Sequence, residues 1–151
     1  MTTSKAQADS FKALIARLRE ALREPEQFTL SYAAESSAFV RFNHAKVRQA
    51  GQVQQASIGL KLINDGRHAD LQITLAGDPA VDHQRLAEGL QQLRETLPLL
   101  PQDPYLLLNH NGWQSQNVQE HPLPDTEQVV GEITQAAEGL DLVGFYAAGP
   151  I

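Results

Sequence analysis

Strict alternation on both sides of a turn is the strongest constraint in this chain. Ile58, Leu60 and Leu62 alternate with Ser57, Gly59 and Lys61; Leu71, Ile73 and Leu75 alternate with Gln72 and Thr74. Successive side chains on a strand point to opposite faces, so each run has one apolar face. Between the runs lies Asn64-Asp65-Gly66, whose residues tolerate the positive φ angles of a tight hairpin. The resulting antiparallel pair leaves one apolar face that something must cover.

The strand-rich block extends upstream, from about Phe28 to about Ala76. Phe28, Leu30 and Tyr32 alternate with Thr29, Ser31 and Ala33, and Phe39-Val40-Arg41-Phe42 reads as a short strand. Phe39 and Phe42 are too close for strict alternation. Asn43-His44-Ala45-Lys46 reads as a turn, because Asn tolerates the left-handed region. Val47 to Ile63 is a long extended segment, with Gly51 marking a bend or bulge.

Helices supply the cover. Phe11, Leu14, Ile15, Leu18, Ala21 and Leu22 fall on one face of a 3.6-residue period. Ser4 and Gln7 have capping-box spacing, and Pro25 closes the segment. A second helix is expected from an Asp82 cap to about Leu97, with Leu86, Leu90, Leu93 and Leu97 as its stripe. A proline-punctuated connector follows, then Tyr105-Leu106-Leu107-Leu108, apolar enough for a short buried strand or a packed loop. Residues Asn109 to Pro124 lack periodicity and read as an exposed excursion. A third helix spans about Asp125 to Glu138, with Gly139 just past its end. The last segment, Leu142 to Gly149, reads as a strand. The expected class is α+β: a mostly antiparallel sheet covered on one face by about three helices.

Composition narrows the function classes. The 151 residues, 42% apolar and 20% charged, suit one globular domain. A net charge of -6 makes nucleic acid a poor partner, because binding it relies on cations that displace counterions. There is no cysteine, which excludes disulfides, thiolate metal sites and thiol catalysis and fits a reducing compartment. The first residues lack an apolar signal core, and no stretch approaches the roughly 18 apolar residues of a membrane span. A cytoplasmic protein with no membrane partner is expected. The chain stops on Gly149-Pro150-Ile151, straight after an apolar strand, which suggests a piece of a longer protein.

No catalytic constellation emerges from spacing. The histidines His44, His68, His83, His110 and His121 include no pair one helical turn apart, and none is followed by Glu. Ser36, Ser37, Ser57 and Ser115 lack a nucleophile-elbow pattern. Trp113, in the polar loop beside His110, is expected to fold back on the core. No catalytic and no metal-binding residue is therefore assigned. One run is unusually rich in cations and amides: Arg41, Lys46, Arg48 and Lys61 interleaved with Asn43, Gln49, Gln52, Gln54 and Gln55. It is either a solvated sheet face or a partner surface. Arg41, Asn43, Lys46, Arg48, Gln49 and Gln52 are the candidate partner or peptide contacts.

The segment Glu35 to Val53, with its Val-Arg-Phe-Asn turn at residues 40–43 and Val-Arg-Gln-Ala-Gly at residues 47–51, resembles the amino-terminal region of the TldD/PmbA family. Leu99-Leu100-Pro101-Gln102-Asp103-Pro104-Tyr105-Leu106 resembles that family's Leu-Pro-x-Asp-Pro-Tyr connector, and Gly139 to Gly149 the segment leading out of the domain. Together the motifs occur in order from Glu35 to the end.

The resemblance implies a single amino-terminal domain, residues 1–151, of a longer zinc-metallopeptidase-like protein that also carries a gyrase-modulator label. In typical zinc-binding members a His-Glu-x-x-x-His helix and a later cysteine hold the metal. Neither occurs here, so no cofactor is expected in this chain, and zinc belongs, if anywhere, to the full-length parent. The implied partners are the carboxy-terminal domain of the same protein, other family members in homo- or hetero-oligomers, and a peptide or unfolded protein. The implied role is non-catalytic: shaping a peptide channel or dimer interface for proteolysis by the parent. The alternatives are a stand-alone peptide-binding module of the same fold and a small enzyme using His110 or His44.

Overall fold

The computed structural model describes residues 2–117 and 122–149, with backbone alone for residues 2–5. His121 lies outside the described residues. The elements are α1 (Thr2–Ala21), β1 (Gln27–Asn43), β2 (Lys46–Asn64), β3 (Arg67–Thr74), α2 (Pro79–Thr96), a 3-10 turn (Leu97–Leu99), α3 (Thr126–Ala136) and β4 (Gly144–Ala148). The strands form one antiparallel sheet in the order β3-β2-β1-β4. This is the α+β class the alternation predicts. The two stretches read as separate strands upstream of His44 are one strand, β1. The chain divides into two compact units, residues 1–33 with 56–110 and residues 34–55 with 111–151.

In the first unit the core forms as the periodicities require. Ile58 sits opposite Ile73, and Leu60 opposite Leu71, so both apolar runs face one side. Leu14 and Leu18 of α1 and Leu86, Leu90 and Leu93 of α2 close over that side, with Leu97 following. Gly89 is the small residue on the stripe. A Cβ there would lie 2.9 Å from Ile73 Cδ1, so glycine lets α2 approach the sheet closely. Asp65 and Gly66 adopt φ of 50° and 67°, the two left-handed residues of a type I′ hairpin.

The cap of α2 differs from expectation. Asp78, not Asp82, caps the helix, accepting from the Ala80 and Val81 amides. Asp82 lies one turn inside and is buried, with its carboxylate accepting from Ala76 N at 2.6 Å and Gly77 N at 3.1 Å. Both Asp residues satisfy amides near the helix start, and only the path of the incoming chain separates their roles. Asp82→Ala leaves both amides short of a partner and should destabilise by on the order of 2 kcal/mol, read from the urea midpoint.

The connector is anchored to the β2–β3 turn. Gly66 O accepts from Asp103 N at 2.8 Å, Leu100 O accepts from Arg67 Nε at 2.8 Å, and Asp65 O accepts from the Gln102 side chain at 3.0 Å. Beyond it, Tyr105 to Leu108 forms no strand. Tyr105 and Leu107 are exposed, and Leu106 and Leu108 half-buried. Apolar character alone cannot make a strand where no ladder partner runs alongside.

In the second unit, Val40 and Phe42 of β1 and Ala137 beyond α3 are buried. Asp125 caps α3 through Gln128 N at 2.9 Å, and Gly139 takes φ of 78° just past the helix. β4 pairs with residues Ala38 to Phe42 of β1. Trp113 is exposed rather than folded onto a core, as are Leu140, Val143 and Phe145. A lone indole in a segment without periodic apolar neighbours has no second side chain to complete a burial site.

Candidate functional site: an open strand edge

The amide- and cation-rich run occupies one hairpin of the second unit, the end of β1 and the start of β2. All six candidate contacts, Arg41, Asn43, Lys46, Arg48, Gln49 and Gln52, are exposed. The turn itself uses His44 and Ala45 at φ of 50° and 55°, so Asn43 is the last strand residue rather than the left-handed one. Alanine in that region is strained, and the surroundings hold it. His44 Nδ1 lies 2.7 Å from Asp141 Oδ1, and Ala45 N donates to Leu142 O at 3.1 Å. These bonds tie the hairpin tip to the segment between α3 and β4.

β2 is longer than its outer partner. β3 pairs with Ser57 to Asn64, and one further bond runs from Leu75 N to Ala56 O. In the sheet order the opposite side of β2 belongs to β1. Residues 46–55 therefore have no strand on their outer side among the described residues. Ten residues at about 3.3 Å each make an edge on the order of 30 Å long. An edge of this kind presents a row of unpaired amides and carbonyls, the usual template for another strand.

Proteins commonly blunt such edges with charge or proline. Here the charges, Lys46 and Arg48, sit at one end, and residues 49–55 (Gln-Ala-Gly-Gln-Val-Gln-Gln) carry neither charge nor proline. Gly51 lies within β2 with the Phe39 ring against it, at 2.8 Å from where a Cβ would be. Its role is close packing of β1 on β2.

Two side-chain groups built on β1 were not foreseen. Phe39 and Phe145 stack at 5.9 Å and 18°, and the Arg41 guanidinium lies 5.9 Å and 6.0 Å from their ring centres. This is the outer limit of cation–π range, and it places the Arg41 head against the two rings. Glu35 accepts from the Ser37 hydroxyl and, at 2.8 Å, from the Gln55 amide. The Ser37 hydroxyl, then the Gln55 amide, hold the Glu35 carboxyl below its ordinary range. The spacing Glu35, Ser37, Phe39, Arg41 is a strand-face signal in the sequence. Phe145 was not predictable from it, because its position depends on the register of β4.

The described histidines do not converge. His44 meets Asp141, and His68 Nε2 lies 3.4 Å from Asp103 Oδ2. Among the described residues no group of three or more His, Cys, Asp or Glu side chains could hold a metal ion. Among the described residues no helix is long and apolar enough to cross a membrane.

The fold has a counterpart among solved structures. The chain is similar to a Thermotoga maritima protein described as a "putative modulator of a DNA gyrase", with a TM-score of 0.53 and 9% sequence identity. The similarity covers 94% of this chain and 37% of that one, so this chain spans little more than a third of its neighbour's length. At this identity the likeness is one of fold. No family model matches the sequence, and no curated protein matches it.

Proposed function

We propose that this chain is a non-catalytic interaction domain of a longer TldD/PmbA-like protein, and that it works by strand addition along the open edge of β2. The observation that carries this is the ten-residue stretch 46–55, which has β1 on one side and no strand on the other. A fold shared over 94% of this chain with a protein described as a "putative modulator of a DNA gyrase", together with the ordered motifs from Glu35 onward, supports the family side of the proposal. In the parent protein the edge would line a peptide channel or a dimer interface. Main-chain bonds supply affinity in such a mode, and flanking side chains supply selectivity. The metal and the peptide-cleaving chemistry would belong to the rest of the parent.

Amide exchange tests the edge directly. With excess Ac-Thr-Val-Thr-Val-Thr-Val-amide, alternate amides within residues 46–55 should slow, because every second N–H points outward. Unchanged exchange across that stretch would remove strand addition. A zinc-supplemented peptidase assay of this chain should stay at background, and metal-dependent turnover would overturn the non-catalytic assignment. A stand-alone module would show the same edge protection, and the coding sequence downstream of Ile151 separates the two.

A further inference from the structure

We infer that the segment added along β2 is acidic at the end that lies beside the hairpin tip and uncharged at the other. This rests on the strand-addition reading and names the partner's chemistry. From Arg41 to Asn64 there is no Asp or Glu, in a chain that has 18 of them, while Arg41, Lys46, Arg48 and Lys61 fall in that stretch. Lys61 has Asp70 at 4.0 Å across the ladder, and Lys12, Arg17, Arg67 and Arg94 each have a carboxylate partner. Arg41, Lys46 and Arg48 have none within ion-pair distance among the described residues, as is also true of Arg19, Arg23 and Arg85, but only the first three fall together on one hairpin. Lys46 and Arg48 sit at the tip end of the open edge, Arg41 lies on β1, the next strand in, and the Asp141 carboxylate at the tip is bonded to His44.

The opposite end has the reverse character. Glu35 lies there beside Gln55, ionised and already bonded by Ser37 and Gln55. A second carboxylate nearby would be repelled, while an uncharged side chain would not. Between the ends, Gln49, Gln52 and Gln54 offer amides that bond to either kind of neighbour. Like-charge avoidance at one end and unpaired cations at the other fix how far along the edge an incoming strand sits, as well as whether it binds.

The test uses the whole chain and three peptides: Ac-Val-Thr-Val-Thr-Val-Glu-Val-Glu-amide, whose carboxy-terminal acidic end meets Lys46 and Arg48 when it adds antiparallel to β2, the same with Lys for Glu, and the same with Thr for Glu. Protection of residues 46–55 is the readout at low salt. The Glu peptide should bind roughly tenfold more tightly than the Thr peptide, and the Lys peptide more weakly than either. The Glu advantage should shrink when salt is raised, since these charges are exposed. Lys46→Glu with Arg48→Glu should reverse the order of the Glu and Lys peptides. Both positions are exposed, and an unchanged circular dichroism spectrum keeps the variant interpretable. Equal binding of all three peptides would overturn the charge preference and leave strand addition standing. Failure of all three would remove strand addition as well. Protection without peptide that grows with protein concentration would make a second copy the occupant, and stronger protection by an oligothymidylate would make it a nucleic acid. Either result overturns the proposal.

Discussion

Arg94→Met should destabilise the first unit by about 3–5 kcal/mol, read from the urea midpoint, because it strands a buried carboxylate. Arg94 on α2 bonds Glu26 through Nε at 2.8 Å and Nη2 at 2.7 Å, and Nη2 also donates to Ala21 O at 2.7 Å. The two side chains are 15% and 6% exposed. Without the guanidinium, Glu26 keeps only the Arg23 amide at 2.8 Å. Much of the cost is the unpaired charge rather than the worth of the pair. Glu26→Leu in the Arg94→Met background should therefore recover a large part of the loss.

The same pair sets a pH dependence. The Arg94 bonds, opposed by burial and aided by the Arg23 amide, hold the Glu26 carboxyl below its ordinary value of 4.5. A depressed folded-state pKa contributes stability that is fully present above the unfolded value and is lost as pH falls through the folded value. Wild type should therefore weaken in acid below about pH 4.5 through this group. The gap between wild type and Arg94→Met should narrow there, because a protonated Glu26 no longer needs its partner. A gap that stays constant from neutral pH to acid would show that Arg94 acts by packing alone.

Leu60→Ala should cost about 2–5 kcal/mol, the range for a large side chain removed from a packed core. Leu60 is 0% exposed on a central strand, sits opposite Leu71, and shares a cluster with Leu14, Leu18, Leu86 and Leu90. Helices packed from α1 and α2 leave little room for collapse into the space. Leu107→Ala is the matched control. Leu107 is 92% exposed, and its truncation should shift stability by no more than about 0.5 kcal/mol. Equal losses at the two positions would mean that the core has been misplaced.

That contrast marks how much was legible beforehand. Leu60 announced its burial through alternation with Gly59 and Lys61 and through the Asn64-Asp65-Gly66 turn. Leu107 is equally apolar, and its run carries no such pattern, so hydropathy alone misled. The cation- and amide-rich hairpin was legible as an unusual surface. Where along β2 an edge stays open was not, because that depends on how far β3 reaches along it.

By itself, the sequence determined what local physics decides. It specified the 3.6-residue stripes of α1 and α2, the period-two runs of β2 and β3, the hairpin between them, and the cap and glycine around α3. Each depends on neighbours a few positions apart, whose preferences act before the chain has a tertiary shape. Tertiary structure alone decided which Asp caps α2, which rings hold Arg41, and which side of β2 stays unpaired. Those depend on register and on contacts between residues far apart in the chain, such as Phe39 with Phe145 and Glu26 with Arg94. Local pattern carries no record of such distances, and loop closure and packing select among the pairings it permits.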